Sequence, residues 1–113
     1  MKPKETIEAV RTTSAELAAL CKRESNMNQF ARFWEQVSHV AGNLFTEGAQ
    51  REELIDLGNK IGAVYNYHPG EFLDMYIIRP NPDEQRAAND AFDKLRDRML
   101  FLAGAIIDLG ESM

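Results

Sequence analysis

The stretch that decides the fold is residues 81–110, which read NPDEQRAANDAFDKLRDRMLFLAGAIIDLG. Asn81 can cap a helix N-terminus, and Pro82 suits the first helical position. Gly110 is expected to end the helix in a left-handed conformation. Between these ends, apolar side chains recur at alternating steps of four and three residues, which predicts one helical stripe: Ala88, Phe92, Leu95, Met99, Leu102, Ile106 and Leu109.

A helix over this stretch would be about 40 Å long. A compact domain of this chain length is only roughly 34 Å across. The helix is therefore expected to run the whole length of the domain, and its apolar carboxyl end is expected to need a cover.

Three further helices are predicted upstream from the same three- and four-residue spacing. The first covers residues 3–23, the second is capped by Ser25 or Asn26 and ends near Glu47, and the third covers residues 50–67. Gly48 is the expected stop of the second helix. The apolar stripe of that helix is widened on its sides by Phe33, Val40 and Phe45, which indicates contact with more than one neighbour.

The segment 71–78 could form a short helix or an extended segment, and a helix is favoured because Phe72, Met75 and Tyr76 would share a face. The predicted fold is all-α: a single domain over residues 1–113, built as a compact antiparallel helical bundle of four to five helices with a long C-terminal helix. The short connections suggest that consecutive helices are neighbours in space.

Two glycines, Gly58 and Gly62, lie one turn apart inside the third predicted helix. Each costs roughly 1 kcal/mol of helix stability relative to alanine. The expected compensation is a neighbouring backbone or an aromatic ring packed closely against that side of the helix.

Composition limits the classes of function. The chain has 113 residues and a formal net charge of −5, and residues 51–113 carry twelve acidic and seven basic groups. Direct nucleic-acid binding is not expected of such an acidic chain. The affinity of a protein for nucleic acid comes largely from Lys and Arg side chains that contact the phosphates. The acidity fits solubility first and a partner with a basic surface second. With a single cysteine, Cys21, and no apolar stretch long enough for a membrane, a cytoplasmic location is expected.

Signatures of catalysis are missing from the sequence. It contains no phosphate-binding GxxxxGK[ST], no GxSxG and no HExxH. The two histidines, His39 and His68, belong to different segments, and no Glu-x-x-His pair is present. The sequence therefore predicts a protein that is not an enzyme, with no catalytic residues, no metal and no cofactor.

One polar and aromatic cluster stands out at the predicted elbow between the third and last helices, because all three tyrosines of the chain fall within it. Tyrosine combines an apolar ring with a polar tip, which suits interface cores and ligand mouths. Two interpretations stay open. The cluster could be a partner or ligand site, or its aromatic side chains could close the end of the bundle. The second interpretation is favoured. The residues are Tyr65, Tyr67, His68, Glu71, Phe72, Asp74, Tyr76 and Arg79.

The second candidate surface is the carboxyl end of the last helix, which is apolar on almost every side. Such a helix is usually buried on every side, either at the centre of a bundle or against another molecule. Homodimerisation is favoured over a central position, with an interface formed by Met99, Leu100, Phe101, Leu102, Ile106 and Ile107.

The function expected from these observations is macromolecular binding, of the inhibitor, immunity or adaptor type. The partner would be another protein with a basic surface, and the chain would act as a homodimer. The alternative is a small-molecule or nucleotide-binding protein that uses the aromatic elbow at residues 65–79. A purely structural role of the dimer is a third possibility.

Overall fold

The computed structural model describes residues 2–65 and 72–113. It contains four α-helices: α1 is Pro3–Arg23, α2 is Asn28–Glu47, α3 is Arg51–Tyr65 and α4 is Pro82–Glu111. Neither described range contains a strand, and the helices pack as a bundle, so the predicted all-α fold with a long C-terminal helix is confirmed. Residues 66 and 67, the predicted end of the third helix, lie outside the described residues.

The long helix α4 begins as its sequence predicts. The side-chain oxygen of Asn81 accepts hydrogen bonds from the backbone N–H groups of Asp83, at 2.9 Å, and Glu84, at 3.1 Å. The 30 residues of α4 correspond to about 45 Å of helix. The longest dimension of the molecule is 48 Å, so α4 runs along its whole length.

The two glycines predicted to stop helices do different things. Gly48 ends α2 with a φ of 93°, and its N–H donates to the carbonyl of Leu44 at 3.1 Å. The stop predicted at Gly110 is wrong, because α4 continues to Glu111 and Gly48 is the one described residue with a positive φ. Gly110 instead allows close packing: a Cβ there would lie 2.9 Å from the carbonyl oxygen of Arg51, at the start of α3.

The helices pack as two pairs. Helix α1 lies against α2, α3 lies against α4, and contacts between α1 and α4 join the pairs. Helices α2 and α3 make few contacts, although only residues 48–50 connect them. The expectation that all consecutive helices are close neighbours is therefore wrong for this pair. A reason lies in Gly58 of α3, where a Cβ would come 2.8 Å from the carbonyl oxygen of Ala103 in α4, so α3 is held closely against α4.

The core is centred on aromatic side chains. The ring of Phe72 lies 5.2 to 5.6 Å from the rings of Phe30, Trp34, Tyr65 and Phe92. The segment that carries Phe72 does not form the short α-helix that the spacing of residues 71–78 favours. It forms one 3-10 turn, Phe72–Asp74, and residues 75–79 then continue without helix. The backbone N–H groups of Ile77 and Arg79 donate to side chains of α4, not to carbonyls of their own segment.

Candidate functional site

Two members of the predicted aromatic site, Tyr65 and Phe72, are buried inside the protein. The Tyr65 hydroxyl donates to the carbonyl oxygen of Arg96 at 2.8 Å, and burial raises the pKa of this tyrosine above its ordinary value. Neither ring is available to stack on a ligand at the surface. Their placement favours the interpretation in which the aromatic residues close the end of the bundle.

Arg79, another predicted site residue, is used in an ion pair with Glu24. Its two terminal nitrogens donate to the two carboxylate oxygens at 2.8 and 2.7 Å. These hydrogen bonds hold the pKa of Glu24 below its ordinary value, against the opposing effect of burial. The pair ties the segment before α4 to the end of α1.

Two residues of α4 that the sequence did not single out hold the same segment. Arg96 donates to the carbonyls of Phe72 and Leu73, each at 3.0 Å, and its guanidinium lies over a neighbouring ring of the core. Asn89 accepts from the N–H of Ile77 at 2.7 Å and donates to the carbonyl of the same residue at 2.9 Å. The sequence signal was a polar Asn89 next to the apolar stripe of α4.

Some of the remaining elbow residues are exposed, and the others lie outside the described residues. Tyr76 is exposed, and its carbonyl accepts from the side chain of Asn26 at 3.0 Å. Asp74 is exposed as well. Tyr67, His68 and Glu71 lie outside the described residues. The structure thus brings Tyr65 and Phe72 together in the core, and it leaves Tyr76 on the surface.

The predicted interface at the end of α4 is also divided by burial. Met99, Leu102 and Ile106 belong to the protein's own core, so they are not available to a second molecule. Ile107 is half-buried against Gly58. Leu100 is 48% exposed and Phe101 is 67% exposed.

Phe101 lies on an acidic face of α4, which we define by its exposed residues Asp90, Asp97, Phe101, Gly104 and Asp108. Asp97 precedes Phe101 by four residues and Asp108 follows it by seven, so all three project from the same side of the helix. A Cβ at Gly104, three residues after Phe101, would meet nothing within 4 Å. The acidic face therefore carries an aromatic side chain beside an open, side-chain-free position.

A second surface, which the sequence did not predict, is the groove between α2 and α3. It has a volume of about 610 Å³. Its lining is apolar at the floor and charged or polar at the rim, and it consists of Arg32, Phe33, Glu35, Gln36, Val37, His39, Val40, Leu44, Glu53, Asp56, Leu57 and Lys60. The signal in the sequence was the apolar stripe of α2, widened by Phe33 and Val40 beyond what its packing on α1 requires.

Comparisons with protein families, with curated proteins and with solved structures found no match to this chain. None of the described helices combines the length and the apolar character that crossing a membrane requires. Among the residues that the structure describes, no three His, Cys, Asp or Glu side chains come together as a metal ion would need.

Proposed function

We propose that this protein acts by binding another protein that presents a basic surface, and that the acidic face of α4 is the contact. The observation that carries the proposal is Phe101, an aromatic side chain 67% exposed between Asp97 and Asp108. Exposed aromatic residues at the centre of a surface are typical anchors of protein interfaces.

The charges around Phe101 define the chemistry of the partner. Asp97 and Asp108 are separated by about 16 Å along the helix, with Phe101 between them. A partner with an apolar pocket flanked by Lys or Arg would match this pattern, because opposite charges at the rim speed association and exclude wrong partners. Nearby Arg98 is directed to Glu16 of α1, at 3.9 Å. Exposed Lys94, seven residues before Phe101, lies on the same side and offsets part of the negative charge, but the three aspartates of the face outnumber it.

Gly104 supports the same proposal. A glycine inside a helix costs roughly 1 kcal/mol relative to alanine, and no internal contact compensates for this one. Gly62 of α3 also has open space around it, so an open glycine alone does not mark a site. Beside Phe101, however, the missing side chain lets a partner backbone approach the helix closely.

A second copy of the chain fits this face less well than a basic partner does. In an antiparallel pair of α4 helices crossing between Phe101 and Gly104, Asp97 of one copy would face Asp108 of the other. In a parallel pair each aspartate would face its own counterpart. Like charges placed together at an interface oppose association. The homodimer stays a prediction, and sedimentation of the wild-type chain and of Phe101→Asp tests it.

Affinity capture from source cells, repeated with variants, tests the proposed contact. Wild-type protein should retain a basic partner that Phe101→Ala loses, with an affinity at least about 30-fold lower, as expected for an aromatic anchor. Asp97→Asn combined with Asp108→Asn should weaken capture mainly at low salt. Leu73→Ala is the control, because Leu73 is 52% exposed and belongs to the 3-10 turn Phe72–Asp74 and not to α4.

Gly104→Ala separates binding from folding, since the added methyl group has room in the free protein. This variant should be at least as stable as the wild type, but it should bind the partner less tightly than the wild type does. Equal capture by wild type, Phe101→Ala and Gly104→Ala would contradict the proposal. A dimer that Phe101→Asp dissociates would place a second copy on this face in place of a basic partner.

A further inference from the structure

The groove between α2 and α3 is independent of the acidic face of α4. Its floor is formed by Val37, Leu44 and Leu57, which are buried, together with Phe33 and Val40, which are more accessible. Val40 is 40% exposed, so the apolar floor is open to solvent. An apolar groove between two helices is the kind of surface that accepts a third helix.

The dimensions of the groove agree with a helical occupant. On α2 its lining extends from Arg32 to Leu44, which is about 18 Å of helix, or roughly three turns. A partner helix of this length presents an apolar stripe at positions i, i+3 or i+4, and i+7. The groove has a volume of about 610 Å³, and Val40 at its floor is exposed to solvent.

The rim of the groove is polarised in charge. Glu53 and Asp56 of α3 lie toward the end where residues 48–50 connect the two helices. Arg32 and Lys60 lie toward the opposite end, since each is farther from that connection along its own helix. Glu35 is also on the rim, but Lys22 of α1 is within 3.7 Å of its carboxylate and offsets its charge.

We propose that this groove binds an amphipathic helix of a partner protein in one fixed direction. The amino end of the bound helix lies over Glu53 and Asp56, and its carboxyl end lies between Arg32 and Lys60. This direction pairs the positive end of the helix dipole with the carboxylates and the negative end with the cations. It also selects a helix with basic side chains in its first turn and acidic side chains in its last turn.

The test uses two synthetic peptides of identical composition, each four turns long and locked as a helix by a side-chain staple. Both carry the same apolar stripe. One has lysines in the first turn and glutamates in the last, and the other has these two turns exchanged. Fluorescence anisotropy measures each dissociation constant at low and high salt. The lysine-first peptide should bind about tenfold more tightly at low salt, and the difference should shrink at high salt.

Variants locate the binding. Val40→Glu should abolish it, while Ile78→Glu, at a residue 61% exposed and outside the groove, should leave it unchanged. Exchanging the rim charges, with Arg32→Glu and Lys60→Glu combined with Glu53→Lys and Asp56→Lys, should reverse the preference between the peptides. Circular dichroism confirms that each variant remains folded.

Three results would overturn the proposal: binding of neither peptide, equal affinity for both at low salt, or a peptide that Val40→Glu still binds. A wild-type dimer that Val40→Glu dissociates would show that a second copy of the chain occupies the groove. Phe101→Asp should bind the lysine-first peptide as the wild type does. The two surfaces are therefore tested separately. A result that contradicts partner binding at the acidic face of α4 would not contradict helix binding in the groove, and a result against the groove would not contradict the acidic face.

Discussion

Alanine substitution at Gly58 and at Gly62 should change stability in opposite directions, although both glycines are in α3 and one turn apart. At Gly58 a Cβ would lie 2.8 Å from the carbonyl oxygen of Ala103, a backbone atom of α4 that cannot move without the helix. At Gly62 a Cβ would meet nothing within 4 Å. The two variants share the same gain in helix propensity and differ in packing.

The magnitudes follow from these two contributions. Replacing a helical glycine by alanine gains roughly 1 kcal/mol in propensity. At Gly62 this gain stands alone, so Gly62→Ala should raise the free energy of unfolding by about that amount. Overpacking a close helix contact costs about 1–3 kcal/mol, and the rigid backbone contact at Gly58 places it at the upper end of that range. Gly58→Ala should therefore lower the free energy of unfolding by about 1–2 kcal/mol net.

Urea denaturation followed by circular dichroism at 222 nm measures both changes, and the slope against urea checks that the extent of unfolding stays the same. The two variants should differ by about 2–3 kcal/mol, which is well above the error of the extrapolation. Equal or greater stability of Gly58→Ala relative to wild type would refute the close approach of α3 to α4. It would also leave the small number of contacts between α2 and α3 without a physical reason.

Phe72→Ala should lower the free energy of unfolding in the same urea assay by about 3–5 kcal/mol, because Phe72 is fully buried among four rings. As a control, Leu73→Ala, at the exposed neighbouring residue, should change it by no more than about 0.5 kcal/mol. Glu24→Gln should be less stable than wild type at pH 7. The hydrogen bonds from Arg79 lower the pKa of Glu24, so wild type loses their contribution as the pH falls below the ordinary value of 4.5, and Glu24→Gln should lose less over the same range. Burial raises the pKa of Cys21 to about 11, so native protein at pH 8 should react with a thiol reagent at least about 100-fold more slowly than unfolded protein does.

The candidate surfaces were only partly predictable. The spacing of apolar residues placed Phe101 off the main stripe of α4, and the structure leaves that side chain exposed. The predicted interface nevertheless included Met99 and Leu102, which belong to that stripe and are buried in the core. Adjacent residues on a helix project in different directions. Whether each side chain is buried depends on which other helix packs on that side.

At the elbow, composition drew attention to a segment in which Tyr65 and Phe72 are buried, as the favoured interpretation expects, and in which Arg79 binds another part of the protein. Arg79 pairs with Glu24, which is 55 positions away in the chain, and Arg96 binds backbone carbonyls more than 20 positions away. Such contacts leave no periodic pattern in the sequence. Polar residue types alone could not separate a side chain that binds a ligand from one that holds a loop.

The sequence by itself determined the helices, the cap at Asn81 and the stop at Gly48, because these depend on contacts between residues within about one turn of each other. Tertiary structure alone decided that Gly110 is a packing position, that Tyr65 and Phe72 are core residues and that α2 and α3 leave a groove. These outcomes depend on how closely one helix surface fits another, and that fit involves residues far apart in the chain.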